Sequence, residues 1–142
     1  MKKIALFFIL LLVIGSSCKK DEEVDPRDQF VGSYTVQSIV NVPTLGIVNS
    51  STGTCTISKV SDGNRIKITN IDGTTQYANV TGSNYVYEKY SETETIEGET
   101  ATIEITGNGS ISGNILTESG MITIYIIGES YTGIWSGTMV KQ

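Results

Sequence analysis

Thr102-Ile103-Glu104-Ile105-Thr106 alternates polar and β-branched apolar residues without a break. Successive side chains of a strand point to opposite faces, so Ile103 and Ile105 belong to one side and Thr102, Glu104 and Thr106 to the other. Ile122, Ile124 and Ile126 repeat the pattern, but Met121, Tyr125 and Ile127 make the second face apolar as well, which implies cover on both sides or an outer contact surface. Outward from these runs, the chain from Phe30 onward consists of short segments rich in Ile, Val, Tyr and Thr, with no sustained helical repeat. Turn signals stand at Asp62-Gly63-Asn64, Asp72-Gly73, Gly82-Ser83-Asn84, Glu97-Gly98, Gly107-Asn108-Gly109, Ser119-Gly120 and Gly128-Glu129. They predict about nine strands, near residues 30–41, 52–60, 64–71, 74–81, 84–90, 99–106, 109–117, 120–128 and 131–140. The class is all-β. Short links between neighbours favour an antiparallel up-and-down meander, and a sheet that long removes its edges by closing into a barrel; a β-sandwich of the same strands is the alternative.

The N-terminal part reads differently. Lys2 and Lys3 precede an unbroken apolar run of eleven residues, Ile4 to Ile14, which is the pattern of a secretory signal peptide. A spanning helix needs about 20 apolar residues, so the run is too short to cross a bilayer. Cys18 to Gln29 has Val24 as its one large apolar residue and carries Pro26, as expected of a flexible tether. The expected organisation is residues 1–17 as signal peptide, 18–29 as tether and 30–142 as one β domain.

Composition removes several functions. The formal charge is −5, and from Phe30 onward Lys59, Arg65, Lys67, Lys89 and Lys141 stand against ten acids, which disfavours nucleic acid as a partner. There is no histidine, so Ser-His-Asp and Cys-His catalysis in their usual form and the commonest zinc ligand are absent. From Phe30 onward no S-x-x-K occurs, the chain has no G-x-S-x-G, Walker loop or G-x-G-x-x-G, and no cofactor or metal is expected. Cys55 lies in the strand-like Gly53-Thr54-Cys55-Thr56-Ile57 and reads as a small buried hydrophobe.

Gly15-Ser16-Ser17-Cys18 resembles the lipobox of bacterial lipoproteins, with Gly15 where a Leu-like residue is usual. The resemblance implies cleavage before Cys18 and lipidation of that residue. One acyl chain gives marginal membrane binding at ~0.8 kcal/mol per buried methylene, whereas the two or three of a lipoprotein hold it durably. Lys20-Asp21-Glu22 is similar to the export signal of Bacteroidetes-type surface lipoproteins, which implies display on the outer face of the outer membrane; the periplasmic face is the alternative. Phe30-Val31-Gly32-Ser33-Tyr34 resembles the opening strand of lipocalin-like (calycin) barrels, with Tyr34 in place of the usual Trp. That likeness implies a barrel whose end is plugged by Gly32 and Tyr34, with Trp135 of Gly133-Ile134-Trp135 in the closing layer.

Three groups are candidate sites. Leu45, Ile47 and Val48 follow the first strand, where such barrels carry a lid, or they simply extend a strand. Tyr77, Tyr85, Tyr87 and Tyr90 cluster in adjacent strands and line a ligand cavity or pair across a hairpin. Glu88, Glu92, Glu94, Glu97, Glu99 and Glu104 form an acidic region, read as a solvated edge that discourages sheet-to-sheet pairing. The expected function is a non-enzymatic, membrane-anchored barrel that binds a small apolar or amphipathic ligand or a glycan. A structural or protein-interaction module without a cavity, and more distantly a carboxylate-based hydrolase, are the alternatives.

Overall fold

Alternation drives every element of the domain. In the computed structural model, which describes residues 24–96 and 98–142, nine strands follow in order: β1 (Gly32–Val42), β2 (Ile47–Lys59), β3 (Arg65–Thr69), β4 (Thr75–Thr81), β5 (Asn84–Tyr87), β6 (Tyr90–Ile96), β7 (Glu99–Ser112), β8 (Ile115–Ile126) and β9 (Glu129–Lys141). The expected signal peptide, Cys18, Lys20-Asp21-Glu22 and Glu97 lie outside the described residues. All pairings are antiparallel, in the order β5-β4-β3-β2-β1-β9-β8-β7-β6, and β5 also pairs with β7. That last pairing closes eight strands into an up-and-down barrel and leaves β6 as an additional strand on β7. The closed ring excludes the sandwich.

Inward positions come from one parity on each strand. Tyr34 and Val36 of β1, Cys55 and Ile57 of β2, Ile66 and Ile68 of β3, Ala78 and Val80 of β4, and Tyr85 and Tyr87 of β5 are all buried. Together with Phe30, Ile111, Leu116 and Met139 they form the main core. A second, smaller core of Val42, Ala101, Ile103 and Ile124 fills the other end, between the extended parts of β1, β7, β8 and β9. Ile103 and Ile105 face inward as their alternation requires, opposite Ile124 and Ile122.

One end of the barrel is sealed. Residues Asp25 to Phe30 fold as two successive turns, Asp28 N donating to Asp25 O and Phe30 N to Arg27 O. They seat Phe30 fully buried at the end, where the Tyr34 hydroxyl donates to the Phe30 carbonyl at 2.7 Å. Arg27 donates to the Val60 carbonyl and pairs with Asp25, which also meets Lys59. Hydrogen bonds from the Arg27 side chain and backbone, and then from Lys59, hold the Asp25 carboxyl well below the usual carboxylate range. Residues 25–29 are thus part of the barrel and not of a free tether, because their polar side chains find partners on the β2–β3 and β4–β5 turns. Gly32 lies under the Lys141 side chain, and Lys141 Nζ donates to the Gln29 carbonyl, so a lysine crosses the sealed end.

Two expected turns are strand interior. Gly107-Asn108-Gly109 and Ser119-Gly120 lie within β7 and β8, paired with each other, and the connecting turn is Gly113-Asn114. The predicted strands 99–106, 109–117 and 120–128 are therefore two long strands, and the predicted strand 84–90 is divided into β5 and the start of β6. Gly107 and Gly120 lack side chains because the Trp135 indole fills the space: a Cβ at either would stand 2.5 Å from it. Ile127 belongs to the β8–β9 turn at φ 51, a costly conformation for a β-branched residue, and not to the second apolar face.

Gly120→Ala, whose Cβ would meet both Trp135 and the Thr106 carbonyl, is expected to lower stability by about 1–3 kcal/mol or more. Thr132→Ala on the exposed face of β9 should stay within about 0.5 kcal/mol of the parent. Urea unfolding of both variants measures the difference.

Candidate functional site

β5 positions Tyr85 and Tyr87 two residues apart, so both rings enter the barrel. Their edges and faces continue a chain of aromatic contacts from the sealed end: Phe30 to Tyr85 at 5.6 Å between centroids, Tyr85 to Tyr87 at 5.3 Å, and Tyr87 to Trp135 at 5.6 Å. Above Tyr87 and Trp135 the barrel is not filled. A cavity of about 410 Å³ runs from Cys55, Met139 and Glu118 to Asn70, Ile71, Asp72 and Thr74 on the β3–β4 hairpin and to Tyr90 and Glu92 of β6. Val36, Val40, Ile105 and Ile122 form its apolar wall.

The opening follows from the strand pairing. β5 pairs with β4 only from Asn84 to Tyr87, and β6 pairs with β7 alone. The wall therefore parts between β6 and the β3–β4 hairpin, and residues from both sides of the gap line the cavity. Asp72 is held there by hydrogen bonds from the Thr74 hydroxyl and backbone N–H, which lower its pKa, and Glu92 accepts from Tyr90 Oη at 2.7 Å.

Glu118 is the polar centre of the floor. Its parity on β8 is that of Leu116 and Ile122, so a carboxylate occupies an inward position. Oε2 accepts from Tyr85 Oη at 2.8 Å and from Tyr87 Oη at 2.6 Å. Oε1 lies against Gly137, where a Cβ would stand 2.8 Å away, and receives no protein hydrogen bond among the described residues. No ion pair reaches Glu118 among those residues either. A buried charge is costly unless hydrogen-bonded, and a bond to a charged group is worth about 1.5–3 kcal/mol. Burial raises the Glu118 pKa, and the Tyr87 and Tyr85 hydroxyls oppose that rise. Burial pushes both phenols well above their ordinary range, with charge repulsion from Glu118 adding to it, so they remain neutral donors.

The candidate residues divide. Tyr85 and Tyr87 lie inside, Tyr87 and Tyr90 on the cavity wall. Tyr77 does not: it has the opposite parity from Ala78 and Val80, faces solvent, and carries the Arg65 guanidinium over its ring at 4.8 Å. Leu45 and Ile47 do not line the cavity, because the β1–β2 ladder continues to the Val42–Ile47 pair and keeps the hairpin in the plane of the wall. Tyr34 sits in the sealed end, whereas Trp135 is higher up, a wall of the cavity with Nε1 donating to the Thr106 carbonyl at 3.1 Å. Of the acidic region, Glu88 clamps Arg65 through two hydrogen bonds and Glu104 pairs with Lys89, both outside the barrel; Glu92 faces inward. Among the described residues no group of three metal-ligating side chains converges. Glu118, Asp72, Asn70 and Gln76 are site residues that the sequence reading did not single out.

No family model matches the chain, and no characterised protein matches it. Among solved structures it is similar to a protein of unknown function from the DUF3598 family, from Nostoc punctiforme, with a TM-score of 0.48 and 15% identity over 81% of this chain and 48% of that one. The chain spans about half the length of that protein.

The Glu118 carboxyl has a folded pKa above its unfolded one, so its charged form is disfavoured by folding. Its contribution to stability is greatest below the unfolded value and declines as pH rises through the folded value. Glu118→Gln does not titrate. Its urea midpoint relative to the parent is expected to move in the variant's favour between about pH 4 and about pH 8; a constant difference would contradict the shift.

Proposed function

We propose that the protein is a lipid-anchored component of the cell envelope that holds a small amphipathic ligand inside its barrel and catalyses no reaction. The observation that carries the binding reading is the open cavity of about 410 Å³, within the range of about 300–1,000 Å³ typical of small-molecule sites. Its wall combines an apolar body with a few convergent polar groups, Glu118, Ser38, Ser51 and Gln76. An interaction module with a filled interior does not account for that volume.

The absence of histidine supports a non-catalytic reading. Burial, and then the Glu118 charge, push the Cys55 thiol up to about 11, so it holds its proton at neutral pH and is no nucleophile. Anchoring rests on the signal-peptide pattern and Cys18, and surface display on Lys20-Asp21-Glu22. A second reading, contact with a protein partner, draws on the outer face: Met121 pairs with Ile134 across β8 and β9, and both are more than half exposed beside Ile39 of β1.

Two measurements test the proposal. N-phenyl-1-naphthylamine, a neutral fluorescent hydrophobe, is expected to bind at one saturable site with energy transfer from Trp135, the single tryptophan of the chain. Ser38→Phe, which places a ring in the cavity, should abolish that signal without loss of folding; binding unchanged in the variant would place the probe elsewhere. In cells, Cys18→Ser is expected to move the protein out of the membrane fraction, and protease added to intact cells should remove the parent domain. Full protection would oppose surface display.

A further inference from the structure

We propose that the cavity selects an amphipathic cation, a protonated amine on an apolar body, with its ammonium group at Glu118 Oε1. The inference deepens the ligand-carrier reading above and rests on it.

The charged side chains on the cavity wall are Asp72, Glu92 and Glu118, all acidic. The nearby cations are committed elsewhere: Lys59 and Arg27 to Asp25 at the sealed end, Arg65 to Glu88 and Lys89 to Glu104 on the outer surface. Among the described residues no protein cation is left to face the floor, so a bound cation is the available counter-charge for an ionised Glu118. Glu118 is arranged to receive one. Both phenols converge on Oε2, and a carboxylate has about four lone-pair sites, so those of Oε1 remain for an incoming donor. The missing side chain of Gly137 is what lets that carboxylate fit against β9 on the cavity wall.

The aromatic groups point the same way. Trp135 and Tyr87 border the cavity next to Glu118, and a ring face attracts an ammonium group, tryptophan most strongly. An anionic amphiphile such as a fatty acid would instead bring like charges together in a site shielded from water. A neutral occupant would expel water from Glu118 and offer no charge in return. Asp72 and Glu92, each held by a hydrogen bond at the opening, add a field that draws cations toward it.

The test compares three eight-carbon probes of one shape, octylammonium, octanol and octanoate, by the change in Trp135 emission of the purified protein at neutral pH. Octylammonium is expected to bind at least about tenfold more tightly than octanol, the worth of one charge-assisted hydrogen bond, and octanoate most weakly. In Glu118→Gln the preference for the amine should vanish while octanol binding persists. Octanol or octanoate matching the amine overturns the inference, and so does a variant that keeps the preference; the ranking in the parent stands whether or not the variant folds. Saturable binding of N-phenyl-1-naphthylamine without an amine preference sinks this inference alone. No binding of any probe removes the carrier reading and this inference together.

Discussion

Three residue pairs close this barrel: Asn84 with Ser110, Tyr85 with Gly109, and Val86 with Asn108. The seam depends on the middle pair, because Gly109 has no side chain and the Tyr85 ring lies where one would be. The same ring reaches Glu118 with its hydroxyl and Phe30 with its edge, so the closure, the polar floor and the plug of the sealed end share one side chain. Beyond Val86 the seam ends. Glu88 is still held to β4 by its backbone bond to Tyr77 and by the Arg65 clamp outside, but β6 then follows β7 alone. The opening is thus the direct consequence of a short seam, not of a missing residue in an otherwise complete wall.

Space inside is made by glycine and filled from across the barrel. Gly107, Gly109, Gly120 and Gly137 all occupy inward positions on β7, β8 and β9, and the groups that take the room are Trp135, Tyr85 and the Glu118 carboxylate. This explains how a barrel of eight strands holds four aromatic rings in contact and still keeps a cavity above them. The rings form a rigid floor, since each is buried or braced by a hydrogen bond. The Glu118 carboxylate gains two donors from that floor without any of them having to reorganise, which offsets part of its desolvation.

The barrel was legible in the sequence because alternation reports which face is buried, and Ile103, Ile105, Ile122 and Ile124 do face inward. The expected number of strands agrees with the observed nine only through two compensating errors. Gly107, Gly109 and Gly120 resemble turn residues until the Trp135 and Tyr85 rings that need their space are known, and those rings come from strands distant in sequence. The same misplaced turn concealed Glu118, since a residue beside a turn is expected in solvent. Its parity with Leu116 and Ile122 was the available signal: an acid on the apolar face of an alternating strand marks a buried polar site. Parity also places Tyr77 outside, opposite to Ala78 and Val80. A ligand cavity was expected, but the place of its opening was not legible, because it depends on the offset between β5 and β7, which no local pattern encodes.

The two ends of the barrel differ in a way that bears on function. The chain enters at the sealed end, where Asp25 to Phe30 are fastened by Arg27, Lys59 and Gln29, and Gln29 also binds the Gly82 carbonyl. The cavity opens through the wall between β6 and the β3–β4 hairpin, and on β1 its lining runs from Val36 to Val40, about 13–26 Å from Gly32 at roughly 3.3 Å per residue. Cys18 precedes Val24 by six residues, which span at most about 20 Å. The anchor proposed at Cys18 would therefore keep the sealed end within about 20 Å of the membrane.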